Sequence, residues 1–476
     1  MSNLNFKSLS FWMALSIAII ILFRLVLIID LPIADQTEAR YAEIARIMNE
    51  TGNWTVPHVD YNTPFWAKPP LSTWLSAAAL RIFGVSEWAA RLPAFLLNVL
   101  LLFILARWFR ASGTPFYLAP FVLLTTPQFL IHTGAISTDT TLGFCVAMVM
   151  LSFWQVVNQA GGSFWKYNFF LFLGLGLLAK GPLIFVLAIP PMILWILIHG
   201  RPWIRTLRYF PWLAGTMIIF VVAVPWYYLA EKNSPGFLQY FLIGEHFKRF
   251  LVPSWSGDLY GVAKNQPKGM IWVFLFVLAF PWFQAVLIWL WKNRKQIFPD
   301  PWVSYLVFWL FWTPLFFTFS SHVVHTYMVP VLVPLALLVC HFWESARRKL
   351  MLLFISSSFY LLAITVYFFA YLPGKLDDEI NTDKYLIQQA KVTGNLIYYW
   401  KKKTYSGQFY TKGKALVVDD TTSLGNILKE KQHFYLIVNR SELPSLPTNY
   451  LSQFRSVGAN SRMTLFERCS VAREGH

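Results

Sequence analysis

Apolar stretches long enough to cross a lipid bilayer recur along most of this chain, at 11–29, 92–110, 115–131, 138–157, 164–180, 182–199, 209–229, 269–291, 302–319, 323–343 and 349–371. A helical span needs about 20 such residues, so the pattern predicts about 11–13 transmembrane helices. Charge agrees: 13% of the 476 residues are Asp, Glu, Lys or Arg, against about 25% in soluble domains. The expected fold class is a polytopic α-helical membrane protein. The apolar stretch from Phe11 has no small-residue cleavage site and is expected to be a retained first span.

The formal charge of +17 does not indicate a nucleic-acid partner. The basic residues cluster in short loops between spans: Arg107 and Arg110, then Arg201, Arg205 and Arg208, then Lys292, Arg294 and Lys295, then Arg347, Arg348 and Lys349. Such placement reports orientation and contact with membrane lipids. With these loops cytoplasmic, alternation puts 30–91, 132–137, 230–268, 320–322 and everything after 372 on the outer side. Cys145 and Cys340 lie in apolar spans and Cys469 stands alone, which leaves no disulfide framework.

Composition divides the chain at about residue 372. Residues 1–372 form the transmembrane domain, with a long first outer loop at 30–91. In that loop, 38–48 and 71–83 read as helices lying along the outer interface. Residues 373–476 have the composition of a small soluble α/β domain, with β-like runs at 414–418, 434–438 and 463–467 and a helix near 424–431.

Four ionisable groups, Asp35, Lys68, Asp139 and Lys180, fall on the same outer side. An ionisable group costs about 2.5–3.5 kcal/mol at a span centre, and it persists where it lines a cavity or does chemistry. A lipid-linked phosphosugar would suit such a set. Cations hold the departing phosphate, an acid sits near the acceptor, and the spans supply a groove for the tail. Lys68, Arg40 and Lys180 are candidates for the first role, and Asp35, Glu38 and Asp139 for the second.

Several runs, taken in order, resemble one family: Glu38–Glu43, Gly52–Pro57, Pro64–Leu71 with Lys68-Pro69-Pro70, Arg91-Leu92-Pro93, Thr138-Asp139, Lys180-Gly181-Pro182, Glu245–Phe250, and Phe316–Ser321 leading to Thr326-Tyr327. The family is the GT-C glycosyltransferases that include bacterial aminoarabinose transferases of lipid A and protein O-mannosyltransferases. The resemblance covers most of residues 30–340. It implies transfer of a sugar, with an amino sugar among the candidates, from a polyprenyl (undecaprenyl) phosphate donor to lipid A or another envelope acceptor, with inversion. It also implies a bacterial inner membrane and a periplasmic site. Lys68 and Arg40 would contact the carrier phosphate with Tyr41 beside them, and Asp139 would face the same cavity. Lys180, Glu245, His246, His322 and Tyr327 would complete the substrate site. Alternatives are transfer to protein Ser or Thr, and a lipid-linked sugar transporter without chemistry.

The chain departs from the family pattern at three places. Thr37 stands where the motif usually carries Asp, which leaves Asp35 and Glu38 as rival key acids. Ala67 stands where a Glu associated with a metal is common, so a divalent metal is in doubt. His322 stands about where many members carry Lys.

Overall fold

The computed structural model describes residues 6–109, 115–160, 162–261, 266–346, 349–391 and 396–468; Arg110, Arg347, Arg348 and Cys469 lie outside them. Among the described residues, seven helical stretches are long and apolar enough to cross a membrane. They contain α1 (Phe6–Asp30), α4 (Glu87–Phe109), α7 (Thr138–Val157), α11 (Trp212–Asn233), α15 (Pro301–Thr318), α16 (Leu332–Phe342) and α17 (Lys349–Val366). An eighth is the broken pair α13 (Met270–Leu278) and α14 (Trp282–Lys292), bent by 104°. Pro281 lies in that break and has no N–H to continue the ladder. The windows at 164–180 and 182–199 form α8 (Ser163–Lys180) and the shorter α9 (Leu183–Ile198).

The window at 115–131 is not one span. It divides into α5 (Leu118–Leu124) and α6 (Pro127–His132). Thr125 and Thr126 turn their hydroxyls back onto the carbonyls of Phe121 and Val122, each at 2.7 Å, which competes with the helix ladder. Pro127 then removes the next donor.

In the first outer loop, α2 (Thr37–Thr51) and α3 (Leu71–Phe83) form where composition places them. Gly52 ends α2 in the left-handed region at φ 68°, which only glycine adopts without cost. α2 is also packed into the protein. Ala39 and every residue from Tyr41 to Met48 are buried, because α2 is packed between α3 and the tail helix α19 (Tyr405–Tyr410). The small side chains of Ala39, Ala42 and Ala45 permit that close packing. A short hairpin, β1 (His58–Asp60) with β2 (Thr63–Pro64), follows α2.

The tail carries a five-stranded sheet in the order β4-β3-β5-β7-β6. Its strands are β3 (Leu396–Trp400), β4 (Leu416–Val418), β5 (Phe434–Asn439), β6 (Phe454–Ala459) and β7 (Met463–Arg468). β3 runs parallel to β4 and β5, while β7 is antiparallel to β5 and β6. The tail is not tethered by one linker alone. Lys384 pairs with Glu87 at 2.8 Å and Lys403 with Asp60 at 2.9 Å, and the Tyr410 hydroxyl accepts from Ile33 N at 2.7 Å. The sheet domain thereby holds α2, which carries candidate site residues, from the outside.

Candidate functional site

The end of α8, the loop before α3 and the segments around Glu245, His322 and Tyr327 meet at a cavity of 430 Å³. α7 and α8 are antiparallel neighbours, so the first turn of one and the last turn of the other lie side by side. Asp139 and Lys180 consequently form a buried ion pair. Thr326 donates a hydrogen bond to Asp139, and the Lys180 ammonium lies 4.5 Å from the centre of the Tyr327 ring. Lys68 enters from the loop before α3. Its ammonium donates to Glu245 at 2.5 Å and to the Ala67 carbonyl at 2.7 Å.

Glu245 stands on the π-helical segment Gln239–Lys248 and organises the cations. It accepts from Lys68 and from Arg249, the latter at 2.9 and 3.0 Å. Arg249 also reaches Asp258 at 3.3 Å and His322 at 3.4 Å. Burial opposes the Glu245 charge, but the Lys68 and Arg249 cations overcome it and hold the carboxyl down to about 2. Burial lowers Lys68, with Glu245 resisting. His322 is pushed down to about 4, first by burial and then by the cations of Arg249 and Lys68. The imidazole is therefore neutral at ordinary pH.

Lys68, Lys180 and Arg249 line the cavity against a single lining acid, Glu245. The rest of the wall is largely apolar, including Leu183, Val186, Phe250 and Phe316. Phe247 and Leu251 are at its rim, and both are well exposed. The arrangement is a cation-lined cavity open to an apolar surface.

The Lys180-Gly181-Pro182 run has a local reason. Gly181 sits at φ 72°, and a Cβ there would come within 2.5 Å of the Phe241 ring and 3.2 Å of the His246 imidazole. His246 is itself bound to the Phe241 carbonyl at 2.8 Å and the Lys180 carbonyl at 3.3 Å. Gly181→Ala is expected to displace His246 and lower activity about tenfold or more, since small misplacements cost that much. Steady-state transfer kinetics on folded, purified variant check it.

The remaining candidates lie elsewhere. Arg40 donates to the Tyr260 carbonyl at 2.5 Å and lies over the Tyr41 and Phe65 rings at 5.4 and 5.6 Å. Tyr41 is buried between Arg40 and the Asp139–Lys180 pair, within electrostatic reach of both. Glu38 is engaged by Arg91 at 2.7 and 2.8 Å. Burial pushes its carboxyl up, but Arg91 prevails and holds it below the usual range.

Asp35 does not line the cavity. It accepts from the Ser406 amide at 3.0 Å and hydroxyl at 2.5 Å, and it faces Arg462 at 3.5 Å. Burial raises its carboxyl. These contacts fasten the first loop to the tail. Asp35→Asn is expected to loosen that junction by about 1–3 kcal/mol, seen as faster limited proteolysis of the tail.

Arg249 was legible in the sequence but not singled out; an acid and a base at i and i+4, as in Glu245 and Arg249, is a helix-pair signal. Tyr260 has no comparable mark. The metal is not supported by a donor set: Ala67 offers none, and among the described residues no three His, Cys, Asp or Glu side chains gather to hold an ion.

The architecture places the chain among multi-pass membrane proteins of the GT-C fold. The solved ArnT from Cupriavidus metallidurans bound to undecaprenyl phosphate superposes with TM-score 0.74 at 16% identity, over 98% of this chain and 99% of that one. The Archaeoglobus fulgidus oligosaccharyltransferase AglB, solved with an inhibitory peptide and a dolichol-phosphate, gives 0.50 at 13% identity, covering 91% of this chain and 70% of the other. These likenesses establish the fold.

Residues 8–241 match the family model of dolichyl-phosphate-mannose-protein mannosyltransferases. An undecaprenyl phosphate-α-4-amino-4-deoxy-L-arabinose arabinosyl transferase of Edwardsiella ictaluri is 28% identical over 70% of this chain and 59% of its own length. One from Pseudomonas fluorescens is 27% identical over 64% and 54%. The chain spans little more than half the length of these two relatives. The chain is thus similar in sequence to aminoarabinose transferases and to protein mannosyltransferases, and it shares the GT-C fold of the solved ArnT.

Proposed function

We propose that this protein transfers a sugar from an undecaprenyl-phosphate donor to lipid A or another envelope acceptor, at the periplasmic face of a bacterial inner membrane. The carrying observation is the cavity itself: three cations and one acid at the end of an apolar wall. A polyprenyl phosphate needs both in one place. The known relatives named for undecaprenyl-phosphate aminoarabinose transfer support the donor class and make an amino sugar the leading candidate.

In the proposed reaction an acceptor oxygen attacks the anomeric carbon from the side opposite the phosphate. The new C–O bond forms as the bond to phosphate breaks, and the electron pair leaves on the phosphate oxygen. Configuration inverts. Negative charge grows on the leaving phosphate, so Lys68, Arg249 and Lys180 do the largest share of the work, in a site where water is scarce. Glu245 holds two of these cations in place. A hydroxyl acceptor must lose its proton, and Asp139 beside Lys180 is then the base; a phosphate acceptor needs none. His246 and Tyr327 shape the sugar pocket, while Arg40 and Tyr41 back it. Glu38 and Asp35 hold the first loop in register. Residues 1–372 constitute the transferase body and 373–476 an outer domain that braces it.

The test combines two measurements. Membranes carrying the protein are assayed for sugar release from a defined undecaprenyl-phosphate donor, and lipid A from a deletion strain is analysed by mass spectrometry. Donor turnover with unchanged lipid A moves the acceptor to another glycan or to protein Ser and Thr. Binding of donor with no turnover on any acceptor would leave a transporter.

A further inference from the structure

Lys68 stands in an irregular turn between β2 and α3, so the direction of its ammonium depends on what holds that turn. Pro69 follows it, and a residue before proline is confined to extended backbone. On the preceding side the Phe65 amide donates to Pro57 O at 2.7 Å. The Pro64 carbonyl and the Trp66 amide also need partners, and both find the same atom. The Tyr260 hydroxyl donates to Pro64 O at 2.7 Å and accepts from Trp66 N at 3.1 Å.

A phenol suits this place because its hydroxyl gives and takes a hydrogen bond at once. Burial pushes the Tyr260 hydroxyl up to about 12, so it keeps the proton it donates. Tyr260 is itself held. Its ring lies edge-on to Phe65 at 4.8 Å and to Tyr240 at 5.8 Å. Its amide donates to Asp258 at 3.1 Å, and its carbonyl accepts from Arg40 at 2.5 Å. The Leu259 amide donates at 3.1 Å to the Tyr240 hydroxyl, which reaches Glu245 at 3.5 Å. Asp258 meets Arg249 at 3.3 Å. One short stretch, residues 258–260, thus reaches Arg40, Arg249 and the turn before Lys68.

The turn bears directly on the ammonium. Lys68 Nζ donates to the carbonyl of Ala67, the residue after Trp66, at 2.7 Å and to Glu245 at 2.5 Å. An ammonium has three N–H donors, so one is left for an anion in the cavity that Lys68 lines. Rotating the backbone at Trp66 and Ala67 swings that carbonyl and carries the ammonium with it. Resting on the transferase reading, we propose that Tyr260 is a positioning residue for sugar transfer: its hydroxyl fixes the turn that aims Lys68 at the departing phosphate. A phosphate esterified to a sugar carries one negative charge and gains more as the C–O bond breaks. A misaimed cation therefore harms departure and product binding more than donor binding.

The experiment is a double-mutant cycle on the full chain in nanodiscs: parent, Tyr260→Phe, Lys68→Ala and both together. Phenylalanine keeps the ring contacts and removes one hydroxyl, and thermal unfolding verifies that each variant is folded. Two quantities are read: binding of undecaprenyl phosphate, and transfer of 4-amino-4-deoxy-L-arabinose from its undecaprenyl phosphate. Tyr260→Phe is expected to weaken undecaprenyl phosphate about three- to tenfold and to lower kcat about ten- to 100-fold, with donor KM within about twofold, the pattern of a small misplacement. In the Lys68→Ala background the same change should alter neither by more than about twofold, because the group it positions is gone. Equal losses in both backgrounds overturn the assignment. So does a Tyr260→Phe chain that is less stable yet unchanged in binding and kcat, the mark of a purely structural hydroxyl. Should the cycle hold for undecaprenyl phosphate binding while the parent transfers no sugar, the transferase reading falls instead.

Discussion

Lys68→Ala is expected to lower kcat/KM for sugar transfer by about 100- to 1000-fold while leaving the protein folded, the magnitude associated with losing one preorganised group aimed at developing charge. The reasoning begins with what the substitution leaves behind. Removing one partner of a buried pair is ordinarily ruinous, because the other charge is stranded. Here Glu245 retains Arg249 at 2.9 and 3.0 Å, so its carboxylate stays paired. The loss falls on the reaction rather than on the fold. Lys68→Arg should recover part of the rate, since the charge returns on a different geometry. Circular dichroism and thermal unfolding verify folding, and single-turnover transfer measures the loss. A rate within threefold of the parent would remove Lys68 from the mechanism.

The same groups set the acid limit of activity. Glu245, held to about 2 by burial offset by Lys68 and Arg249, is charged throughout the neutral range. Its depressed value contributes stability that is present above the ordinary carboxylate range and is lost as pH falls toward about 2. His322, pushed to about 4, is uncharged in the fold while an unfolded imidazole takes up a proton near 6.5. Stability therefore falls as pH drops from about 6.5 to about 4. Both effects act in one direction, so activity should be level from about pH 7 to 8 and decline toward pH 4. His322→Gln should remove the imidazole part of that decline, as read from thermal unfolding across pH.

How much of this was readable beforehand depends on the kind of contact involved. Long apolar windows announce helices such as α1, α7 and α17, because length and hydropathy are local properties. The first-loop helices were equally local: Gly52 and Gly84 mark their ends. The break at Thr125–Pro127 was signalled by proline within a short, 17-residue apolar window. In the tail, β3 went unread although Leu396–Trp400 is apolar and aromatic, since the neighbouring lysines resemble a solvated turn. The site divides in the same way. Lys68, Lys180, Glu245 and His246 carry motif context, and the fold gathers them. Asp35 and Glu38 share that context, but their partners, Ser406 and Arg91, lie far along the chain. No reading of local sequence pairs residue 35 with residue 406.

Arg91→Met is expected to destabilise the protein by about 3–5 kcal/mol, the cost of leaving a buried charge without its partner. Arg91 is buried and holds both oxygens of Glu38 at 2.7 and 2.8 Å. It also donates to the Pro32 carbonyl at 2.9 Å and to the Ile28 carbonyl at 3.4 Å. The guanidinium thus satisfies carbonyls at the end of α1, where a cation is favoured, and ties that end to α2 and α4. Losing it strands Glu38 and those carbonyls together. The double variant Glu38→Gln/Arg91→Met separates structure from catalysis. If Glu38 only positions α2, removing both charges should recover much of the lost stability and a measurable part of the transfer rate. If Glu38 acts as the base, the double variant regains stability but stays inactive. Thermal unfolding and donor turnover on the same preparations distinguish the two, because a neutral amide can replace an ion-pair anchor but cannot accept the acceptor's proton.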